Sequence, residues 1–161
     1  MHAAYDYRGS AGIVVRRAKL EHDAAALGFL GQAICRLVAR RDARFRKAVV
    51  VPVPLARSKE RQRGFNQAAW LGARLAARLD VPLRKALRRC RVTETQGSQA
   101  SKRERRTNVA GAFDLTRASA RGAMVVLVDD VMTSGATLRE CARVLARGGC
   151  GPVHAFVVAR T

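Results

Sequence analysis

Hydrophobic positions along this chain alternate between helical spacing and unbroken β-branched runs. Over 24–40 the apolar residues Ala25, Leu27, Leu30, Ile34, Leu37 and Val38 recur at about 3.6 residues, which predicts an amphipathic helix. The continuous apolar run over 48–53, closed by Pro52 and Pro54, predicts a buried parallel strand entering a loop. That loop is expected over 55–64. A second helix over 65–79 offers Ala68, Trp70, Leu71, Leu75 and Leu79 to a core. Past Pro82 a short strand-like piece covers 83–87. The stretch 88–108 is basic and polar with little apolar periodicity, and loops of that length inside a compact domain are often functional lids. Near its end Ser101-Lys102-Arg103-Glu104 fits a capping box opening a short helix. Strands are expected over 111–115, 123–128 and 153–158, and a helix over 136–147 stopped by Gly148 and Gly149. Alternating strands and helices predict a single α/β domain with a mostly parallel central sheet. Ligands of such sheets bind beyond the carboxyl ends of the strands.

Composition narrows the class. The 161 residues suffice for one domain with a real core, and 48% are hydrophobic, as in an ordinary globular protein. No apolar run approaches the roughly 20 residues that span a bilayer. The first eight residues have no apolar segment to serve as a secretion signal, so a cytoplasmic protein is expected. Cys35, Cys90, Cys141 and Cys150 form no Cys-x-x-Cys pair, which argues against a zinc site and for free thiols in a reduced compartment. His2, His22 and His154 belong to no recognisable constellation.

Charge changes the picture more. Lys and Arg total 31 against 12 acidic residues, a net charge of +19. Such a surface attracts polyanions, nucleic acid among them, through a term that is sequence-independent and weakened by salt. A GC-rich coding sequence would also enrich Arg, so part of the excess need carry no function. The few aromatic residues are dispersed and form no base-stacking platform.

The chemistry concentrates in 124–138. Met124-Val125-Val126-Leu127-Val128 runs into Asp129-Asp130, then Val131-Met132, then Thr133-Ser134-Gly135-Ala136-Thr137-Leu138 at a predicted helix start. Backbone N–H groups of the small-residue loop and the positive end of the helix dipole attract a phosphate. Thr133, Ser134 and Thr137 add hydroxyl donors, and Gly135 lets the backbone approach the anion closely. Asp129 and Asp130 would repel that phosphate and must face ribose hydroxyls or the water shell of a Mg²⁺ ion. A solvated turn after a buried strand, or the acidic pocket of a receiver domain, leaves Thr133–Thr137 unexplained. A receiver would also place its acidic pair near its first strand. Neither a Walker-type Gly-x-x-x-x-Gly-Lys nor a Gly-x-Gly-x-x-Gly occurs.

This stretch resembles the 5-phosphoribosyl-1-pyrophosphate (PRPP) motif of type I phosphoribosyltransferases. The chain as a whole resembles the ComF family within that superfamily, named for a role in natural competence for DNA uptake. Tyr7-Arg8-Gly9, Val51-Pro52-Val53-Pro54, Arg63-Gly64-Phe65-Asn66-Gln67, Gln96, Arg103-x-x-Arg106-x-Asn108-Val109-x-Gly111-Ala112-Phe113 and the PRPP motif carry that resemblance in order. Longer members begin with a cysteine-rich, zinc-finger-like segment, and this chain is expected to start about where that segment ends.

The resemblance implies a type I phosphoribosyltransferase fold with a flexible lid over 88–108 and a small N-terminal hood within about 1–40. Asp129 and Asp130 would hold the ribose hydroxyls, and Mg²⁺ through water. Thr133, Ser134, Gly135, Ala136 and Thr137 would hold the 5′-phosphate. The loop Leu55, Ala56, Arg57, Ser58 and Lys59 would meet pyrophosphate, with Arg61 and Arg63 as side-chain candidates, the alternative being a solvated basic turn whose charges do nothing specific. Lys102, Arg103 and Arg106 would approach pyrophosphate as the lid closes, or serve as surface charges. Asn66 and Gln67 are open to a ligand contact or an N-cap role. Two functions follow from the resemblance. One is PRPP binding with transfer of phosphoribose to a nitrogenous base, a nucleoside monophosphate being the product. The other is a non-catalytic accessory role in DNA uptake that uses the fold and the basic surface for nucleotide or single-stranded DNA. No acceptor-base pocket is legible, and since type I enzymes commonly dimerise, a homodimer is within expectation.

Overall fold

A computed structural model describes residues 1–21, 23–39, 42–91 and 109–161. Its elements in chain order are β1 (His2–Asp6), α1 (Ser10–Leu20), α2 (Ala24–Ala39), α3 (Asp42–Phe45), β2 (Ala48–Pro52), α4 (Arg57–Arg63), α5 (Gln67–Leu79), β3 (Leu87–Arg89), β4 (Phe113–Leu115), β5 (Met124–Met132), α6 (Ala136–Arg147) and β6 (Val153–Arg160). β1, β6, β5 and β2 form a parallel sheet in that order, and β3 with β4 makes a separate antiparallel pair.

The apolar runs form the middle of the sheet because both faces are covered. Val126 and Val128 of β5, Val50 of β2 and Phe156 of β6 turn to one face, where α1, α2 and α5 add Val15, Leu30, Ile34, Leu71 and Leu75. Val125 and Leu127, Val49 and Val51, and Val157 turn to the other, against Leu138, Cys141 and Leu145 of α6 and Phe113 of β4. The period-2 alternation of a strand thus becomes two cores, one on each side. Between α2 and α5 the contact is close enough to require glycine. A Cβ at Gly31 would stand 2.8 Å from Arg74 Cδ and 3.0 Å from the Trp70 ring, over which Arg74 lies at 4.6 Å.

Several expectations change. Residues 57–63 are helical where a loop was expected. The segment Arg57-Ser58-Lys59-Glu60-Arg61-Gln62-Arg63 buries no residue, so it shows no apolar period, and Gly64 closes it in the left-handed region at φ 70°. Leu83 makes a single bridge to Val50, and the strand expected over 83–87 begins at Leu87 instead. The strand expected over 111–115 is confined to Phe113–Leu115. β5 continues through the acidic pair to Met132 because β6 remains paired with it to Met132↔Arg160. β6 likewise runs beyond 158 to Arg160. The N-terminal forty residues supply an edge strand and two helices packed on the sheet. The short β1, with little β-branched content, and the Gly- and Val-containing α1 carry no strong periodic signal. Residues 92–108, with the expected capping box at 101–104, lie outside the described residues.

One polar contact ties Gly111, just before β4, to α6. Glu140, on α6, accepts a hydrogen bond from the Gly111 N–H at 2.7 Å and is gripped by Arg143 through Nη2 at 2.7 Å and Nε at 2.9 Å. The Arg143 guanidinium holds the Glu140 carboxyl down at about 2, from an ordinary 4.5. Glu140→Ala leaves the Gly111 amide without its acceptor and is expected to cost about 1–3 kcal/mol. The melting temperature should fall by several degrees. Because this carboxyl is depressed in the folded state, its contribution is full above about pH 4.5 and vanishes as pH falls through about 2. Thermal melts of both proteins should therefore converge in strong acid.

Candidate functional site

The site begins where β2 stops. Its register with β5 ends at Pro52↔Val128, and Val53 N–H makes a last bond of 2.9 Å to the Val128 carbonyl. β5 continues, paired only with β6, so Asp129 and Asp130 stand at the carboxyl end of the sheet beside the crevice left by β2.

As neighbours in a strand they project to opposite faces. Asp130 turns to the α1 side, where Lys19 Nζ lies 2.9 Å from its Oδ2, both side chains largely enclosed at 24% and 13% exposed. Asp129 turns to the α6 side, where its charge acts on Arg89 and on the Cys141 thiol. Its Oδ1 accepts the Asp130 N–H at 2.9 Å. Burial first, and the neighbouring Asp130 charge second, push the Asp129 carboxyl up to about 8.

After Met132 the chain turns through Thr133 and Ser134 into α6. Gly135 is the N-cap at φ 71°, ψ 8°, a left-handed conformation that only glycine adopts without strain. Having no side chain, it makes no capping bond itself to the first-turn N–H groups of α6, which have no intrahelical acceptor. Ser134 Oγ approaches the Ala136 N–H at 3.4 Å, and Arg139 Nη2 donates to the Ser134 carbonyl at 2.6 Å, bracing the loop from one turn along the helix. Thr133 is exposed and Thr137 half-buried, while Gly135 and Ala136 are buried.

Opposite stands the segment after β2. Leu55 and Ala56 lead into α4, whose basic residues divide between two faces. Lys59 and Arg63, half-buried, share one face of the helix. Burial and the charges of Arg63, Arg89 and Lys19 lower the Lys59 ammonium below its usual range. Arg57 and Arg61, with Leu55, Ala56 and Ser58, line a cavity of about 650 Å³ whose other wall is Lys85, Arg88, Arg89 and Arg91. None of 129–137 lines that cavity. The predicted pyrophosphate residues thus lie on both sides of one helix. Lys102, Arg103 and Arg106 lie outside the described residues.

Asn66 is an N-cap: its Oδ1 accepts the Ala68 and Ala69 N–H groups at 2.9 and 3.3 Å, and its Nδ2 donates to the Val53 carbonyl at 3.1 Å, tying α5 to the end of β2. Gln67 is buried, its Oε1 accepting from Arg63 at 3.4 Å and its Nε2 without a partner among the described residues. The pattern of residues pointed to none of Lys19, Arg89, Arg139 and Glu140. Only the basic Arg-Arg run at 88–89 carried any signal.

Of the cysteines, Cys141 is buried and its thiol is pushed up by burial. Cys35 and Cys150 are half-buried and Cys90 is exposed. Among the described residues no group of three or more His, Cys, Asp or Glu could hold a metal, and no helix is long and apolar enough to cross a membrane.

A parallel sheet with an acidic pair and a glycine-capped turn into a helix at the end of one central strand is the arrangement to compare with known proteins. The chain belongs to the phosphoribosyl transferase domain family, which matches residues 66–161. Two relatives match the ComF resemblance. Competence protein F of Haemophilus influenzae is 36% identical over 114 residues, 69% of this chain and 49% of that protein. Competence protein ComFC of Bacillus subtilis is 38% identical over 114 residues, 70% and 45% of the two chains. The chain therefore spans about half the length of the curated relatives it matches. Among solved structures, purine phosphoribosyltransferase from Pyrococcus horikoshii shares the fold, with a TM-score of 0.51 at 15% identity over 83% of each chain. The type I phosphoribosyltransferase fold expected from the sequence is thereby shown.

The raised carboxyl generates a prediction for the ligand-free protein. An acid whose folded-state value exceeds its unfolded value stabilises the fold only while protonated, so stability drains as pH rises from about 4 to about 8. Asp129→Asn removes this penalty. The variant's melting temperature is expected to exceed that of the wild type at pH 8, with the gap closing below pH 4, as followed by thermal melts across that range.

Proposed function

We propose that this chain binds PRPP with Mg²⁺ and transfers its phosphoribosyl group to a nitrogen nucleophile, releasing pyrophosphate. The observation that supports this reading above others is the placement, on one strand, of two carboxylates beyond the end of β2 and a glycine-capped helix N-terminus five residues later. A ribose 5-phosphate has that spacing of demands: hydroxyls to be accepted by carboxylates and a phosphate to be met by N–H donors.

Asp129 and Asp130 accept from the ribose hydroxyls in this reading. Thr133, Ser134, Gly135, Ala136 and Thr137 enclose the 5′-phosphate, with Arg139 fixing the loop. In the transfer, the bond from ribose C1 to the pyrophosphate oxygen breaks with its electron pair going to pyrophosphate, and the acceptor nitrogen's lone pair forms the new bond. Positive charge develops on the sugar and negative charge on the leaving group, so catalysis is positioning plus electrostatic stabilisation of both. The carboxylates stabilise the first; Lys59, Arg63, Arg89 and the N–H groups of Leu55–Lys59 stabilise the second.

The donor set suits Mg²⁺, which keeps several waters and takes one or two carboxylates together with substrate oxygens. Asp129 and Asp130 would hold the ion through water, and it would supply charge neutralisation for pyrophosphate.

A second reading is favoured by the net charge of +19 and by the names of the relatives: a non-catalytic part in DNA uptake, with single-stranded DNA on the basic surface.

Calorimetric titration with PRPP, with and without Mg²⁺, separates the two. Saturable Mg²⁺-dependent binding is expected, weakened about a hundredfold or more by Asp129→Ala with Asp130→Ala, since two charge-assisted contacts are lost. The double variant should keep its circular dichroism. Binding no tighter than that of inorganic pyrophosphate, or unchanged in the double variant, contradicts the first reading and leaves the second.

A further inference from the structure

The N-terminal helix reaches the acidic pair with one side chain. Asp130 continues the alternation that turns Val126 and Val128 toward α1, α2 and α5, and Lys19, in the last turn of α1, meets it there. Lys19 Nζ lies 2.9 Å from Asp130 Oδ2. Among the described residues this is the single ion pair made by either carboxylate. The seating of α1 does not depend on it. Val15 and Ala18 are fully buried in the core that α1 shares with α2 and α5. Arg17 Nη2 pairs with Asp23 Oδ2 at 2.6 Å and fastens the end of α1 to the residue before α2. Helix α1 therefore keeps its place whether or not Lys19 holds Asp130, and letting go is a movement of one side chain.

What can make it let go follows from charge. A ribose hydroxyl is neutral, and displacing the ammonium with it would leave an enclosed carboxylate without a counter-charge. A divalent cation brings twice the charge to the same place. Lysine also suits displacement, being a compact charge on a flexible four-carbon stem, whereas the planar fork of arginine grips both carboxylate oxygens. We propose that Lys19 is a tethered competitor for the divalent ion: it occupies Asp130 while the crevice is empty and yields it when the ion arrives. Lys19 thereby sets how much of the ion the site needs. A sugar phosphate arriving without metal meets an acidic pair already half occupied, which favours the metal-loaded ligand. The inference rests on the reading of Asp129 and Asp130 as the place of the ion. It does not depend on transfer or on any acceptor.

The test uses Mn²⁺, a paramagnetic stand-in for Mg²⁺, titrated without PRPP into isotopically labelled wild type, Lys19→Gln, Lys19→Arg and Arg16→Gln. Broadening of the 129 and 130 amides reads the affinity, and circular dichroism checks the fold. Lys19→Gln is expected to bind the ion about tenfold tighter, the low end of what an opposite charge at such a distance does to a carboxylate's affinity for a proton. Lys19→Arg should bind no tighter than the wild type. Arg16 is exposed on the same helix, and its loss should change affinity by about twofold or less, as befits a charge acting through solvent. With diamagnetic Mg²⁺, the Lys19 side-chain methylene signal of the wild type should move to the position of a free lysine as the site fills. Equal Mn²⁺ affinity in wild type and Lys19→Gln overturns the proposal, as does no binding at the pair in either. So does an effect of Arg16→Gln as large as that of Lys19→Gln, or a Lys19 signal that stays put while the amides saturate. A parallel calorimetric titration with PRPP keeps the two readings apart. If PRPP fails to bind while the Mn²⁺ results hold, the sugar-phosphate reading falls and the competition stands. If PRPP binds and Lys19→Gln needs no less Mg²⁺ for it, the competition falls and the site stands.

Discussion

Pairing of β5 to one neighbour after it has lost the other is the constraint on which the rest depends. As far as Val128 the strand is held by β2 and β6 and buried on both faces, with Val125, Val126, Leu127 and Val128 fully enclosed. Beyond Val128, β2 turns away through Pro54, while β6 keeps β5 extended for four more residues. That mismatch in length opens a polar crevice at the end of an apolar strand without leaving the strand unsupported. It fixes both carboxylates and aims the turn that follows at the same space. Glycine at 135 lets that turn enter α6 without a side-chain cap from the N-cap residue.

The crevice is electrostatically tense without a ligand. Asp129 is pushed toward its neutral form by burial and by Asp130, and Asp130 is held by Lys19 from the N-terminal helix. Lys59 is pushed the other way by burial and by three neighbouring cations. Charges of each sign are thus crowded with their own kind, an arrangement that costs folding stability and is common where binding must be strong. The proposed ligand, with hydroxyls at one end and phosphates at the other, would relieve both. Lys19 makes the N-terminal segment part of this balance, as a hood would be, although its backbone is built into the sheet and its helical layer.

Legibility in the sequence followed burial. Residues 24–39, 48–52, 67–79 and 136–147 were readable because each carries an apolar face or run that packs on the sheet. α4 has seven residues and buries none, so no hydrophobic period announced it. The acidic pair and the loop at 133–137 were readable as a motif because their chemistry is local. Lys19 on Asp130, Arg89 near Asp129 and Glu140 on Gly111 join residues far apart in the chain, and only the fold brings them together. The division of α4 into two basic faces was hidden for a related reason. Alternate basic residues at 57, 59, 61 and 63 look uniform until the helix sets them on opposite sides.

Backbone amide shifts recorded while PRPP and Mg²⁺ are added to isotopically labelled protein test the central claim most directly. The account predicts saturable changes concentrated at 129–137 and at 55–63. Inorganic pyrophosphate should reproduce the changes at 55–59 but not those at 129–137. Changes scattered over the basic surface, or the same map from pyrophosphate alone, would contradict it.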